Sequence, residues 1–138
     1  MMVYKYALTP MIAWFAAGTL KFIVNFIRFP SQAVNLIGNG GFPSTHTTVI
    51  SSTVFLVGFT EGMSAPVFGL GVAVLMITII DALGIRRAVG KQASAINRHI
   101  LLGNTAESLL RERQGHDPLE VLGGLVLGFI LAYILYQI

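Results

Sequence analysis

Two histidines in this sequence sit where imidazole chemistry could use them, each at the start of an apolar stretch. His116 opens His116-Asp117-Pro118-Leu119-Glu120, and Glu120 lies four residues on. Residues four apart share a face if one helix includes both. A carboxylate bonded to one ring nitrogen fixes the tautomer and leaves the other nitrogen free to attack. The same residues also make a helix start, with Asp117 as N-cap, Pro118 first in the helix and Glu120 three after the cap. Capping alone explains Asp117 and Glu120, and the two roles are compatible. His46 closes Gly40-Gly41-Phe42-Pro43-Ser44-Thr45-His46. The glycines and proline end a loop, and Ser44 suits an N-cap. A helix amino terminus suits a phosphate. The Ser44 hydroxyl would add a donor, and His46 in the first turn could protonate a leaving oxygen. A plain cap followed by a histidine among lipid headgroups accounts for the same residues.

Cations accompany both histidines. Lys21 lies inside an apolar span, where a lysine costs ~2.5–3.5 kcal/mol at mid-bilayer unless it snorkels or finds a partner. Arg28 follows seven residues later, two turns along the same face. Two cations on one face can neutralise a dianionic phosphate. Asp81 ends another apolar span and needs a partner, which Arg86 or Arg87 supplies. Those arginines serve either a structural ion pair or a phosphate.

Membrane helices must carry these residues. The chain is 54% hydrophobic and 11% charged, against roughly 25% charged in soluble domains. A bilayer-spanning helix needs ~20 mostly apolar residues. Four segments approach this: 7–29, 44–59, 66–83 and 118–136. Gly69, Gly71, Gly123, Gly124 and Gly128 punctuate them and permit close helix packing. The expected fold is all-α: one integral membrane domain over residues 1–138, with about four spans. Between spans three and four, 86–115 alternates apolar residues with Lys91, Arg98 and Arg111, as amphipathic helices on the membrane interface do. The first span is too long for a cleaved signal peptide. Every basic residue but Lys5 falls on one predicted face, so that face is expected to be cytoplasmic, with both termini outside a cell membrane. The net charge of +3 then points to anionic lipid or phosphate rather than nucleic acid. With no cysteine, thiolate metal sites are excluded, and no metal or cofactor is expected. All four features fall on that one face.

At these residues the sequence resembles the type 2 phosphatidic acid phosphatase (PAP2) superfamily. It is most similar to a divergent branch related to acid phosphatases and vanadium-dependent haloperoxidases. The superfamily pattern begins with a lysine, six residues and Arg-Pro; here Lys21 and Arg28 keep the spacing, and Phe29 is inserted before Pro30. Its Pro-Ser-Gly-His appears as Pro43-Ser44-Thr45-His46. Its final arginine, histidine and aspartate appear as His116 and Glu120, with Leu110 at the arginine's place and Arg111 next. The run 81–92, Asp-Ala-Leu-Gly-Ile-Arg-Arg-Ala-Val-Gly-Lys-Gln, is similar to a signature of the divergent branch.

The resemblance implies metal-independent hydrolysis of a lipid phosphate monoester. His116 would form a phosphohistidine, Glu120 would orient it and His46 would protonate the leaving alcohol. Lys21, Arg28, Ser44, Thr45 and an arginine from Arg86, Arg87 or Arg111 would hold the phosphoryl oxygens, with Asp81 paired to Arg86 or Arg87. Family members have six spans, so a homodimer is one way to complete the bundle. Two other functions fit the composition: a module that binds anionic headgroups without turnover, and a small transporter or channel subunit. Lys21 and Asp81 both lie toward one end of their spans, which gives a transporter no charged path across. If one phosphate lies between the two histidines, their reactive nitrogens should stand roughly 4–8 Å apart.

Overall fold

A computed structural model describes residues 3–28, 30, 41–102 and 108–138. Phe29 and Gly40, used in two of the motifs above, lie outside the described residues. Among those described there are five helices and no strand: α1 (Val3–Arg28), α2 (Thr45–Glu61), α3 (Pro66–Leu83), α4 (Ile85–Leu102) and α5 (Pro118–Gln137).

The expected all-helical class is observed, with one difference in the spans. Three runs are long and apolar enough to cross a bilayer: Tyr4–Arg28, the 37 residues Pro66–Leu102, and Pro118–Gln137. α2 is not among them. It has 17 residues and carries Thr47, Thr48, Ser51, Ser52 and Thr53. At that length it falls just short of the other runs, and it packs on α1, α3 and α5 at once. A helix enclosed by protein does not need the apolarity that lipid contact demands.

Small residues bring α2 and α5 together. Thr47, Thr48, Ser51 and Ser52 are fully buried and face Gly124 and Gly128, one turn apart on α5. A Cβ on Gly124 would fall 2.7 Å from the Ser44 carbonyl oxygen, and one on Gly128 2.9 Å from the Ser52 nitrogen. The buried hydroxyls bond to backbone: Thr48 donates to the Ser44 carbonyl at 2.9 Å and Ser52 to Val49 at 3.0 Å. No buried side-chain polar atom among the described residues lacks a partner. At the far end Phe55, Phe59, Phe129 and Tyr133 pack edge to face across α2 and α5. There too, Tyr6 of α1 bonds to Thr60 and Glu61 of α2.

Among the described residues, the region expected to be interfacial contains one helix, α4, and an irregular segment over 108–117. α4 buries Gly90, Ala93 and Asn97 and leaves Ile85, Val89 and Ile96 exposed. Its buried stripe holds the irregular segment. Asn97 donates Nδ2 to the Leu110 carbonyl at 2.7 Å and to Glu112 at 2.8 Å, while its Oδ1 accepts the Leu110 N–H at 2.8 Å.

Candidate active site

The starts of α2 and α5 are tied by the Ser44 N–H, which donates to the Glu120 carbonyl at 2.8 Å. This places His46 and His116 side by side, with ring centroids 6.4 Å apart. His116 reaches its position through a turn at Gly115. That residue has φ +80°, and a Cβ there would lie 2.8 Å from the Arg87 nitrogen. The next N–H, of His116, donates to the Ala82 carbonyl at 3.0 Å.

His116 is 7% exposed, and its Nδ1 lies 2.8 Å from Glu120 Oε2. The same oxygen accepts the Asp117 N–H at 3.2 Å. One carboxylate therefore caps α5 and orients the ring, leaving Nε2 free of that pairing. Burial pushes the His116 pKa below its ordinary value, and the Glu120 hydrogen bond opposes this. The neutral ring is favoured, which is the form with a lone pair to donate.

A cavity of about 920 Å³ lies in front of the rings. Lys21, Thr45, His46, Asp81, Arg86, Arg111 and His116 all line it, drawn from four helices and the 108–117 segment. Lys21 is 9% exposed. Arg86 binds Asp81 through Nε, and its Nη1 stands 3.5 Å from His46 Nε2. Arg111 is exposed but lines the cavity, although the sequence pattern expected its arginine at position 110, where Leu110 does not line it. Asn97 grips the backbone at Leu110 and so fixes where Arg111 starts.

Four residues expected at the site do not line the cavity, and Glu120 is one of them, standing behind His116. The Ser44 side chain is fully buried and sits 2.9 Å from the Thr47 hydroxyl, because a capping hydroxyl turns back on its own helix. Arg87 points toward Asp117 at 3.9 Å, on the outer side of the 108–117 segment. Arg28 is exposed at the last turn of α1, beyond Asn25, the last α1 residue on the cavity wall. Sequence reasoning missed Asn25 and Gln114, which both line it. Asn25 was open to discovery, since it lies four residues after Lys21 and shares its face. Gln114 had no local signal.

Among the described residues no group of His, Cys, Asp and Glu could hold a metal ion. Paired histidines, one backed by a carboxylate, lie beside a cation-lined cavity in a bundle of apolar helices, as a membrane protein has. The sequence pattern described as the divergent PAP2 family matches residues 3–131, and the chain belongs to that family. It is 28% identical to the uncharacterised membrane protein YuiD of Bacillus subtilis (strain 168), over 146 positions covering 91% of this chain and 92% of that one. No solved structure matches.

Proposed function

We propose that this protein is a membrane phosphatase that hydrolyses a lipid phosphate monoester through a phosphohistidine. The observation that carries the proposal is the pair of rings 6.4 Å apart beside a cavity lined by Lys21, Arg86 and Arg111. That spacing, measured between ring centroids, supports one phosphate bridging the two rings. His116 Nε2 attacks phosphorus, and the bond from phosphorus to the alcohol oxygen breaks. His46 gives that oxygen its proton. Water then attacks the phosphohistidine, His46 takes the proton back, and phosphate leaves with His116 restored. The cations stabilise the charge on the equatorial oxygens, as phosphoryl transfer requires.

In this proposal α2 is the fourth span, α4 lies on the membrane interface, and the site faces the cytoplasm of a cell membrane. The exposed apolar stripe of Ile85, Val89 and Ile96, beside the cations of α4, supports that placement.

The test is phosphate release from lipid phosphates by the protein in detergent. His116→Ala should lower the rate by at least about 100-fold, and millimolar vanadate should inhibit. Full activity in His116→Ala would sink the mechanism. A second function, headgroup binding without turnover, is favoured by the capping role of Glu120, which suffices to explain that residue. Lipid phosphate binding without release, unchanged by His116→Ala, would establish it.

A further inference from the structure

The cavity does not end at its charged rim. α1 contributes Trp14, Gly18, Lys21 and Phe22 to the wall, all on one helix face. The ionisable lining residues lie at one end. Toward the other end the wall is Trp14 and Gly18 of α1, Val49 and Ile50 of α2, and Ile77 of α3. On each helix these sit about one to two turns deeper than the polar set. No Cα of α1 comes within 8 Å of a Cα of α3, although both helices pack on α2. A slot therefore runs between α1 and α3 with α2 as its floor. A Cβ on Gly18 would meet nothing within 4 Å. Trp14 and Ile77 are 65% and 67% exposed, so the slot opens sideways, where lipid would be.

A phosphate needs only the charged end. We propose that the apolar slot between α1 and α3 holds the hydrocarbon tail of the same lipid whose phosphate sits between His46 and His116. This rests on the phosphate site proposed above and adds what the site recognises besides phosphate. The occupant follows from continuity, because one cavity joins a cationic end to an apolar channel that opens to the bilayer. Trp14 lies seven residues before Lys21, about 10 Å along the helix. An extended chain advances about 1.2 Å per bond, so the tail passes Trp14 near its eighth or ninth carbon.

The chain has a single tryptophan, and it is the one at the slot, so its fluorescence reports the tail directly. The experiment titrates the protein in nanodiscs with hexadecyl phosphates carrying bromine at successive carbons. Bromohexadecanols serve as controls for simple partitioning. Quenching of Trp14 should saturate, be greatest with bromine near the eighth or ninth carbon, and be displaced by vanadate. Gly18→Phe, which fills the slot, should abolish the positional maximum. Quenching that ignores bromine position, or matches the alcohols, overturns the slot. Phosphate release is measured on the same compounds. Release without the positional maximum defeats the slot and leaves the phosphatase standing. The maximum without release does the reverse.

Discussion

Glu120 serves two partners with one oxygen, and the two functions can be separated at that residue. Glutamine keeps an acceptor for the Asp117 N–H but carries no charge to stabilise a protonated His116. A hydrogen bond to a charged group is worth about 1.5–3 kcal/mol, so Glu120→Gln should slow phosphate release about 10- to 100-fold. It should leave the unfolding midpoint nearly unchanged; equal rates would reduce Glu120 to a cap. The pH profile tests the same contact from the other side. Burial holds His116 below its ordinary value of about 6.5, while the Glu120 bond works to raise it. The neutral nucleophile should persist until the pH falls below that value, and Glu120→Gln should move the acid limb lower still. Between the folded value and about 6.5 the unfolded chain binds more protons at His116 than the folded protein does. Its contribution to stability is therefore present above about 6.5 and lost as the pH falls through that window. An acid limb that moves upward in Glu120→Gln would contradict this assignment. The His116–Glu120 pair was legible in the sequence because the two residues are only four apart, although His116 stands just before α5 and not within it. The Ser44 hydroxyl was misplaced for a local reason: a residue's fitness as a cap does not say which way its hydroxyl points.

Helix contacts fix how closely the two histidine-bearing helices approach. Gly124 meets backbone, the Ser44 carbonyl, where a Cβ would need 2.7 Å; Gly69 on α3 has open space around it. Gly124→Leu should therefore destabilise the protein by about 1–3 kcal/mol or more, with Gly69→Leu near neutral, as read from unfolding midpoints in a detergent titration. Similar losses in both would mean that α2 and α5 are not held by close approach. The glycines themselves could be picked out from sequence as packing residues, but their partner could not, since a small residue in a span does not say which helix it meets. Asn97 was invisible for a related reason. Its three hydrogen bonds reach 13 and 15 residues along the chain, two of them to backbone at Leu110, and backbone leaves no mark on side-chain patterns. Asn97→Ala should weaken vanadate inhibition in a protein that still has Arg111, yet add little once Arg111 is already alanine. An additive double variant would show that Asn97 supports the fold without positioning Arg111.

At the scale of the whole molecule the question to test is whether α2 crosses the membrane, since at 17 residues it is shorter than the other three runs. Two cross-links between α1 and α2 bear on the answer. Near one end Lys21 and His46 line the same cavity; at the other Tyr6 bonds to Thr60 and Glu61. From Tyr6 to Lys21 is about 22 Å along α1, and from His46 to Thr60 about 21 Å along α2. The two helices thus run antiparallel over the same depth, and α1 is long enough to cross a core about 30 Å thick. The apolar segment 44–59 already suggests a span, and these two contacts add its direction relative to α1. The absence of cysteine allows the orientation to be read from single substitutions in cells. Met63→Cys, in the exposed turn after α2, should react with an impermeant maleimide added outside. Leu109→Cys, exposed on the site side, should react only after permeabilisation. Labelling of both from the same side would mean that α2 does not cross, and the four-span topology would fall. Labelling of Leu109→Cys alone from outside would keep four spans but turn the site outward. The basic residues around it would then be there for phosphate rather than as a topology signal.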